Sequence, residues 1–312
     1  MKRVIIDTDP GIDDAAAILM ALGSPEIQID AITTIFGNTP VENCTINALR
    51  ILEAANRPDI PVYQGASRQF NFTAPASASH IHGSDGFGGN GLLLPEIKPR
   101  SGNAILEIID RVTSAPGEIT FVAIGRLSNL ALAISVEPRV ASDLKEVVVM
   151  GGAVHVSGNT TPVATANLWG DPEAANVVYS SGGNIVQIGL DVCNEVEIPL
   201  KQQQIVWAKN TPATRLLQTI TPFKKIANSK REGLPSDGGI HYNDVSAMAY
   251  AIDPSLFECT DLNISIETKS ELTRGQTVAD FTWSGSTPNT SVALEVDSNR
   301  LVQLWAERVT KA

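Results

Sequence analysis

The sequence predicts an α/β fold: a Rossmann-like, mostly parallel central sheet with helices on both faces and inserted active-site loops. Three observations lead there. Short apolar runs alternate with helix-patterned stretches, as strands and crossover helices do in a parallel sheet. Two long irregular stretches break that rhythm, as lids and binding loops do. No linker, internal repeat or charge block divides the chain, so residues 1–312 read as a single domain.

Val4–Ile6 reads as a buried strand and Asp13–Leu22 as an Ala-rich helix; strand Ile27–Thr34 and helix Val41–Ala55 repeat the pair. Ile119–Ile124, Glu146–Met150 and Asn184–Leu190 are further strands, with helices at Ala104–Thr113, Leu127–Val136 and Pro172–Ser180 between them. Right-handed crossovers bring the carboxyl ends of such strands to one edge, where ligands bind. Gln64–Arg100 is rich in Gly, Ser, Asn and Pro; Lys201–Tyr242 is helix-like but interrupted by Pro212, Pro222 and Pro235. Strands at Leu262–Glu267, Thr277–Phe281 and Ser291–Val296, then a helix at Asn299–Thr310, complete the chain.

With 312 residues, 43% of them hydrophobic, the chain can build one large core or two modest ones. Aromatics are only 5%, so Val, Ile, Leu and Ala must do most of the packing. A net charge of −11 repels phosphate backbones and anionic lipid, which argues against nucleic-acid and membrane partners and for a small neutral substrate. Cys44, Cys193 and Cys259 are widely spaced and odd in number, so buried reduced thiols are expected rather than a disulfide framework or structural zinc. The apolar run after Met1-Lys2-Arg3 is too short for a signal peptide or a membrane span, and a cytoplasmic location is expected.

The sharpest feature is Asp7-Thr8-Asp9-Pro10-Gly11-Ile12-Asp13-Asp14, directly after the first strand. Four carboxylates this close repel one another unless a cation neutralises them, and an all-oxygen set suits Ca²⁺ or Mg²⁺. Helix capping accounts for Asp13 or Asp14. It does not account for Asp7 and Asp9 as well.

This octapeptide with Ala15 resembles the N-terminal signature of the inosine-uridine-preferring nucleoside hydrolase family. So do Phe36-Gly37-Asn38, Gly125-Arg126-Leu127-Ser128-Asn129, Met150-Gly151-Gly152, Gly158-Asn159, Asn167 followed by Asp171-Pro172-Glu173-Ala174-Ala175, and Asn243-Asp244, all in the family's order. The resemblance implies calcium-dependent hydrolysis of the N-glycosidic bond of ribonucleosides, a role in nucleoside salvage or degradation, and a homodimer or homotetramer. Asp9, Asp14, the main-chain carbonyl of Ser128 and Asp244 would hold Ca²⁺, with Asp9 as the base that deprotonates the attacking water. Asp13 and Asn38 would bind the ribose on its 2′ side, Asn159 and Asn167 on its 3′ and 5′ side, and Met150 would line the sugar floor.

Two positions depart from the family pattern. Thr165 stands where many members place a Glu that contacts the 5′-hydroxyl. Asn243 stands before Asp244 where many place a His acid and others a Trp, and Asn cannot act as an acid near neutral pH. Candidates for the base side are His82, which matches a family loop position, with His80, His241 and Tyr242; Phe87 and Trp169 are candidates for stacking. The run Gly86–Gly91 fits GxGxxG but follows no strand, so it is expected to be an active-site loop rather than a dinucleotide fingerprint. Two other functions remain open. One is a non-catalytic nucleoside- or ribose-binding protein, motivated by Thr165 and Asn243. The other is a haloacid dehalogenase-type phosphohydrolase with Asp7 as nucleophile, motivated by Asp7-Thr8-Asp9.

Overall fold

Successive residues of the first strand divide between two cores. Val4 and Ile6 pack with one, Ile5 with the other, because a strand's side chains alternate faces and here both faces are covered. Val148 against Val147 and Val149, and Val122 against Phe121 and Ala123, repeat the pattern. Each buried Val, Ile or Phe among them contributes about 1.5–3 kcal/mol, which lets a chain poor in aromatics hold its fold. The computed structural model describes residues 1–71, 78–232, 235, 237–282 and 285–312, with only the helical backbone at 231 and 232.

The strands are β1 (Lys2–Thr8), β2 (Ile27–Thr34), β3 (Val62–Gln64), β4 (Ile119–Ala123), β5 (Glu146–Met150), β6 (Ile185–Ile188), β7 (Glu197–Ile198), β8 (Ile240–His241), β9 (Phe257–Ile266), β10 (Thr277–Asp280) and β11 (Thr290–Val296). The helices are α1 (Ile12–Leu22), α2 (Val41–Ala54), α3 (Ser79–His82), α4 (Ala104–Ser114), α5 (Ser128–Val136), α6 (Arg139–Asp143), α7 (Ala166–Gly170), α8 (Pro172–Tyr179), α9 (Leu190–Cys193), α10 (Leu200–Trp207), α11 (Pro212–Glu232), α12 (Asn243–Ile252) and α13 (Ser298–Val309). The main sheet runs β10-β9-β11-β6-β5-β4-β1-β2-β3, and β7 pairs with β8 apart from it. Strands β1 to β6 and β11 are parallel; β9 is antiparallel to both β10 and β11. Helices α1, α2, α12 and α13 pack on one face, α4, α5 and α8 on the other. The α/β expectation therefore holds. The order reverses between β1 and β4, a switch point where the carboxyl ends open a crevice.

Two elements differ most from the sequence reading. Helix α11 runs unbroken through Pro222. Pro222 is exposed, as is Gln218 one turn earlier, so the carbonyl left without its partner faces water. The opposite face is anchored by buried Ala213, Leu217, Ile220 and Thr221. Strand β9 starts at Phe257 rather than Leu262, because the exposed run Glu258–Asp261 is held by pairing with β11 and carries no apolar signal. Cys259 lies in that run and is exposed; Cys44 and Cys193 are buried free thiols as expected. Of the two irregular stretches, residues 72–77, 233, 234 and 236 lie outside the described residues. Among the described residues no helix is long and apolar enough to cross a membrane.

Candidate active site

A cavity of about 590 Å³ opens at the carboxyl edge of the sheet, beside the switch point. Volumes of this size hold small organic ligands. Asp13, Asn38, His82, Met150, Asn159, Thr165, Asn167, His241, Asn243 and Asp244 all line it, as do Ile124, Lys224 and Asn228. Asp9 and Asp14 are 2% and 0% exposed and stand behind the wall.

The acidic residues come from three places. Asp9 follows β1, Asp13 and Asp14 open α1, and Asp244 lies in the first turn of α12. Packing of α1 on α12 brings the two helix starts together. Carboxylate oxygens of Asp13, Asp14 and Asp244 then lie within 4.8 Å of one another, with Asp9 beside this group rather than within it. Helix N-termini favour negative charge, but only weakly against four buried carboxylates. Burial, then neighbouring Asp13, pushes the Asp14 carboxyl up to about 6. Burial and the surrounding acids likewise push Asp9 and Asp244 well above the usual range. Asp13 is the exception: burial would raise it, but the Lys224 ammonium, His82 and the hydrogen bonds to it together hold it below its usual value.

Local contacts aim these groups. Asp14 Oδ2 accepts from Gly11 N at 2.9 Å, so it closes the start of α1 as a capping residue, while Thr8 Oγ1 donates to Asp14 Oδ1 at 2.6 Å. Asp9 Oδ2 accepts from Asn38 N at 2.7 Å, and Asn38 Nδ2 donates to Asp9 O and to Asp14 Oδ2. Gly37 allows this approach, since a Cβ there would sit 1.8 Å from Asp9 Oδ2. Asp9 Oδ1 and Asp13 Oδ1 are buried without a hydrogen-bond donor. Orphaned buried carboxylate oxygens in an all-oxygen cluster fit a hard divalent cation.

The sugar-side residues are fixed by the strand ends. Asn167 Nδ2 donates to the carbonyls of Ile124 and Met150, at 2.8 and 3.1 Å. Asn159 Oδ1 accepts from Ala166 N, and Thr165 Oγ1 accepts from Gly152 N. His82 ends α3, and its carbonyl accepts from Gly88 N. Its Nδ1 accepts from Ile12 N at 3.1 Å, so the ring proton sits on Nε2. Burial pushes its pKa down to about 3, which keeps the ring neutral. His241 Nδ1 lies 3.4 Å from Cys193 O.

The inosine-uridine preferring nucleoside hydrolase family model matches residues 4–303. The chain belongs to that family. It is an N-glycosidase by this membership. It is 37% identical to the inosine-uridine preferring nucleoside hydrolase of Leishmania major, over 96% of this chain and 94% of that one. It is 34% identical to a pyrimidine-specific ribonucleoside hydrolase of Salmonella gallinarum, over 98% and 97%. The solved purine-preferring ribonucleoside hydrolase from Gardnerella vaginalis superposes with a TM-score of 0.93 at 31% identity, covering 99% and 98%.

The nucleoside hydrolase motifs divide into site and scaffold. Asp7 is fully buried and does not line the cavity, and its Oδ1 accepts from Thr33 Oγ1 and Asn129 Nδ2, so it does not stand where the nucleophile of a phosphohydrolase would meet substrate. Ser128, expected in the metal set, stands away from the cavity. It opens α5, its carbonyl enters the helical ladder, and its hydroxyl donates to Asp171 Oδ2. Ile124, at the end of β4, does line it. Phe87 is fully buried packing, and neither it nor Trp169 reaches the cavity; nor does the run Gly86–Gly91. His80 does. Lys224 and Asn228 are the residues that sequence reasoning missed. They lie on the inward stripe of α11, at helical spacing from Leu217, Ile220 and Thr221, where two polar residues on a buried face were a readable signal.

Proposed function

We propose that this chain is a calcium-dependent ribonucleoside hydrolase that releases ribose and free base. The observation that carries this is the cluster of buried carboxylates, two with orphaned oxygens, at a cavity large enough for a nucleoside. Asp9, Asp14 and Asp244 would hold the ion, with the carbonyl of Ile124 in place of that of Ser128. When bound, calcium supplies a fixed positive charge that orders a water and the ribose diol.

This chain's own groups do the rest. Asp9, its carboxyl raised by burial, takes the proton of the attacking water. Asp13 and Asn38 bind the 2′ side of the ribose, and Asn159, Asn167 and Thr165 the 3′ and 5′ side, over Met150. Asn167 offers Oδ1 as an acceptor because its Nδ2 is anchored to the strand ends. These groups hold the sugar as positive charge builds at C1′. Asn243 lines the cavity; it would face the base and has no acidic proton to give. His82 serves there as a neutral Nε2–H donor. The relatives' stated base preferences differ, so base preference is a property of this chain's own wall. A homodimer or homotetramer acting in nucleoside salvage in the cytoplasm accompanies this reading.

The test is release of ribose from inosine, adenosine, guanosine, uridine, cytidine and p-nitrophenyl riboside, with calcium and after chelation, beside Asp9→Ala. Calcium-dependent turnover lost in the variant is expected. Tight nucleoside binding without turnover of any substrate would instead establish a binding protein, the reading that Asn243 at the base side favours.

A further inference from the structure

The hydrolase reading gives the leaving base a neutral donor in His82 but no positive charge. When the C1′–N bond breaks, its electron pair stays on the base, and something must compensate that charge. Asn243 cannot protonate it. His82 is locked as a neutral ring by Ile12 N–H. Among the described residues that line the cavity, Lys224 is the only Lys or Arg. Its Nζ lies 2.8 Å from Asp13 Oδ2, with side chains 5% and 8% exposed. Asn228 stands one turn further along α11. It is 5% exposed, it lines the same cavity, and its Nδ2 has no hydrogen-bond partner. A buried amide donor without a partner implies a ligand atom that accepts from it. The inward face of α11 thus brings two buried nitrogen donors, one of them charged, to the cavity wall.

Resting on the hydrolase reading, we propose that Lys224 is a catalytic residue: its ammonium contacts the nucleobase and stabilises the negative charge that develops as the base leaves. The pair with Asp13 holds the ammonium in place before substrate arrives, so little reorganisation is needed during bond breaking. The step balances. Water oxygen bonds to C1′, the water's proton passes to Asp9, and the base departs as an anion beside Lys224. The anion then takes a proton from solvent, and Asp9 returns its own there.

The experiment compares kcat/KM for uridine, inosine and p-nitrophenyl riboside in the calcium-loaded wild type, Lys224→Met, Lys224→Gln and His241→Gln. The p-nitrophenolate group leaves without help, whereas natural bases need it. Both Lys224 variants are expected to lose about 10²- to 10³-fold on the nucleosides and about fivefold or less on the p-nitrophenyl riboside. Lys224→Gln keeps a donor for Asp13, so it reports on charge even where Lys224→Met does not fold. An equal loss on all three substrates would show that Lys224 acts only through Asp13 and would overturn the proposal. So would unchanged rates, or a selective loss in His241→Gln alone. No turnover of any substrate by the wild type would instead remove the hydrolase reading itself, and this inference with it.

Discussion

Asn38 holds Asp9 by its main chain and Asp14 by its side chain: its N–H is 2.7 Å from Asp9 Oδ2, and its Nδ2 is 3.1 Å from Asp14 Oδ2. One residue after β2 therefore orients two carboxylates from β1 and α1. Asn38→Ala keeps the first bond and removes the second. Calcium affinity is expected to fall by about 10- to 100-fold, the usual effect of losing a partner that orients a ligand. Calorimetric titration of the folded variant checks this; unchanged affinity would mean that Asp14 needs no support.

Calcium binding should strengthen with pH. The Asp14 carboxyl, raised to about 6 in the metal-free protein, must lose its proton to bind a cation. Affinity and the thermal stabilisation by calcium are expected to be larger at pH 8 than at pH 5.5. A stabilisation independent of pH would contradict a site built on raised carboxyls.

Asp7 sets a separate pH dependence of stability. Burial raises its carboxyl to about 7, against the hydrogen bonds from Thr33 and Asn129. Above the ordinary Asp value the unfolded chain has lost this proton while the folded protein keeps it. Stability is therefore lost as pH climbs toward about 7, by up to about 1.4 kcal/mol per pH unit. His82, lowered to about 3, works the other way below its ordinary value. Asp7→Asn keeps the acceptor for Thr33 and Asn129 and removes the ionisation. The wild type should lose more stability than Asp7→Asn between pH 4.5 and 7 in chelator, as read by denaturant unfolding. Parallel curves would place Asp7 in an ordinary environment.

Ser128→Ala should separate scaffold from site. The lost partner is a buried hydroxyl donor to Asp171, a cap of α8. A destabilisation of about 1–3 kcal/mol is expected, with calcium affinity unchanged. A large fall in affinity at constant stability would return Ser128 to the metal set.

The amino-acid sequence by itself determined the layered α/β architecture, because strands buried on both faces and helices buried on one leave different apolar periods. It also determined the family, and most of the cavity wall: Asp13, Asn38, His82, Met150, Asn159, Thr165, Asn167, His241, Asn243 and Asp244, named from their motifs, all line it. Only the tertiary structure decided which motif residues are braces. Asp7, Asn129 and Ser128 carry the same local signals as site residues, and burial between packed elements distinguishes them. Nor could sequence place Ile124 on the cavity wall, where its carbonyl accepts from Asn167, because a carbonyl is a group that every residue has. Lys224 and Asn228 depend on the docking of α11 against α1 and α3, a contact between segments some two hundred residues apart in part. Local patterns record which face of an element is buried; what that face meets is set by packing.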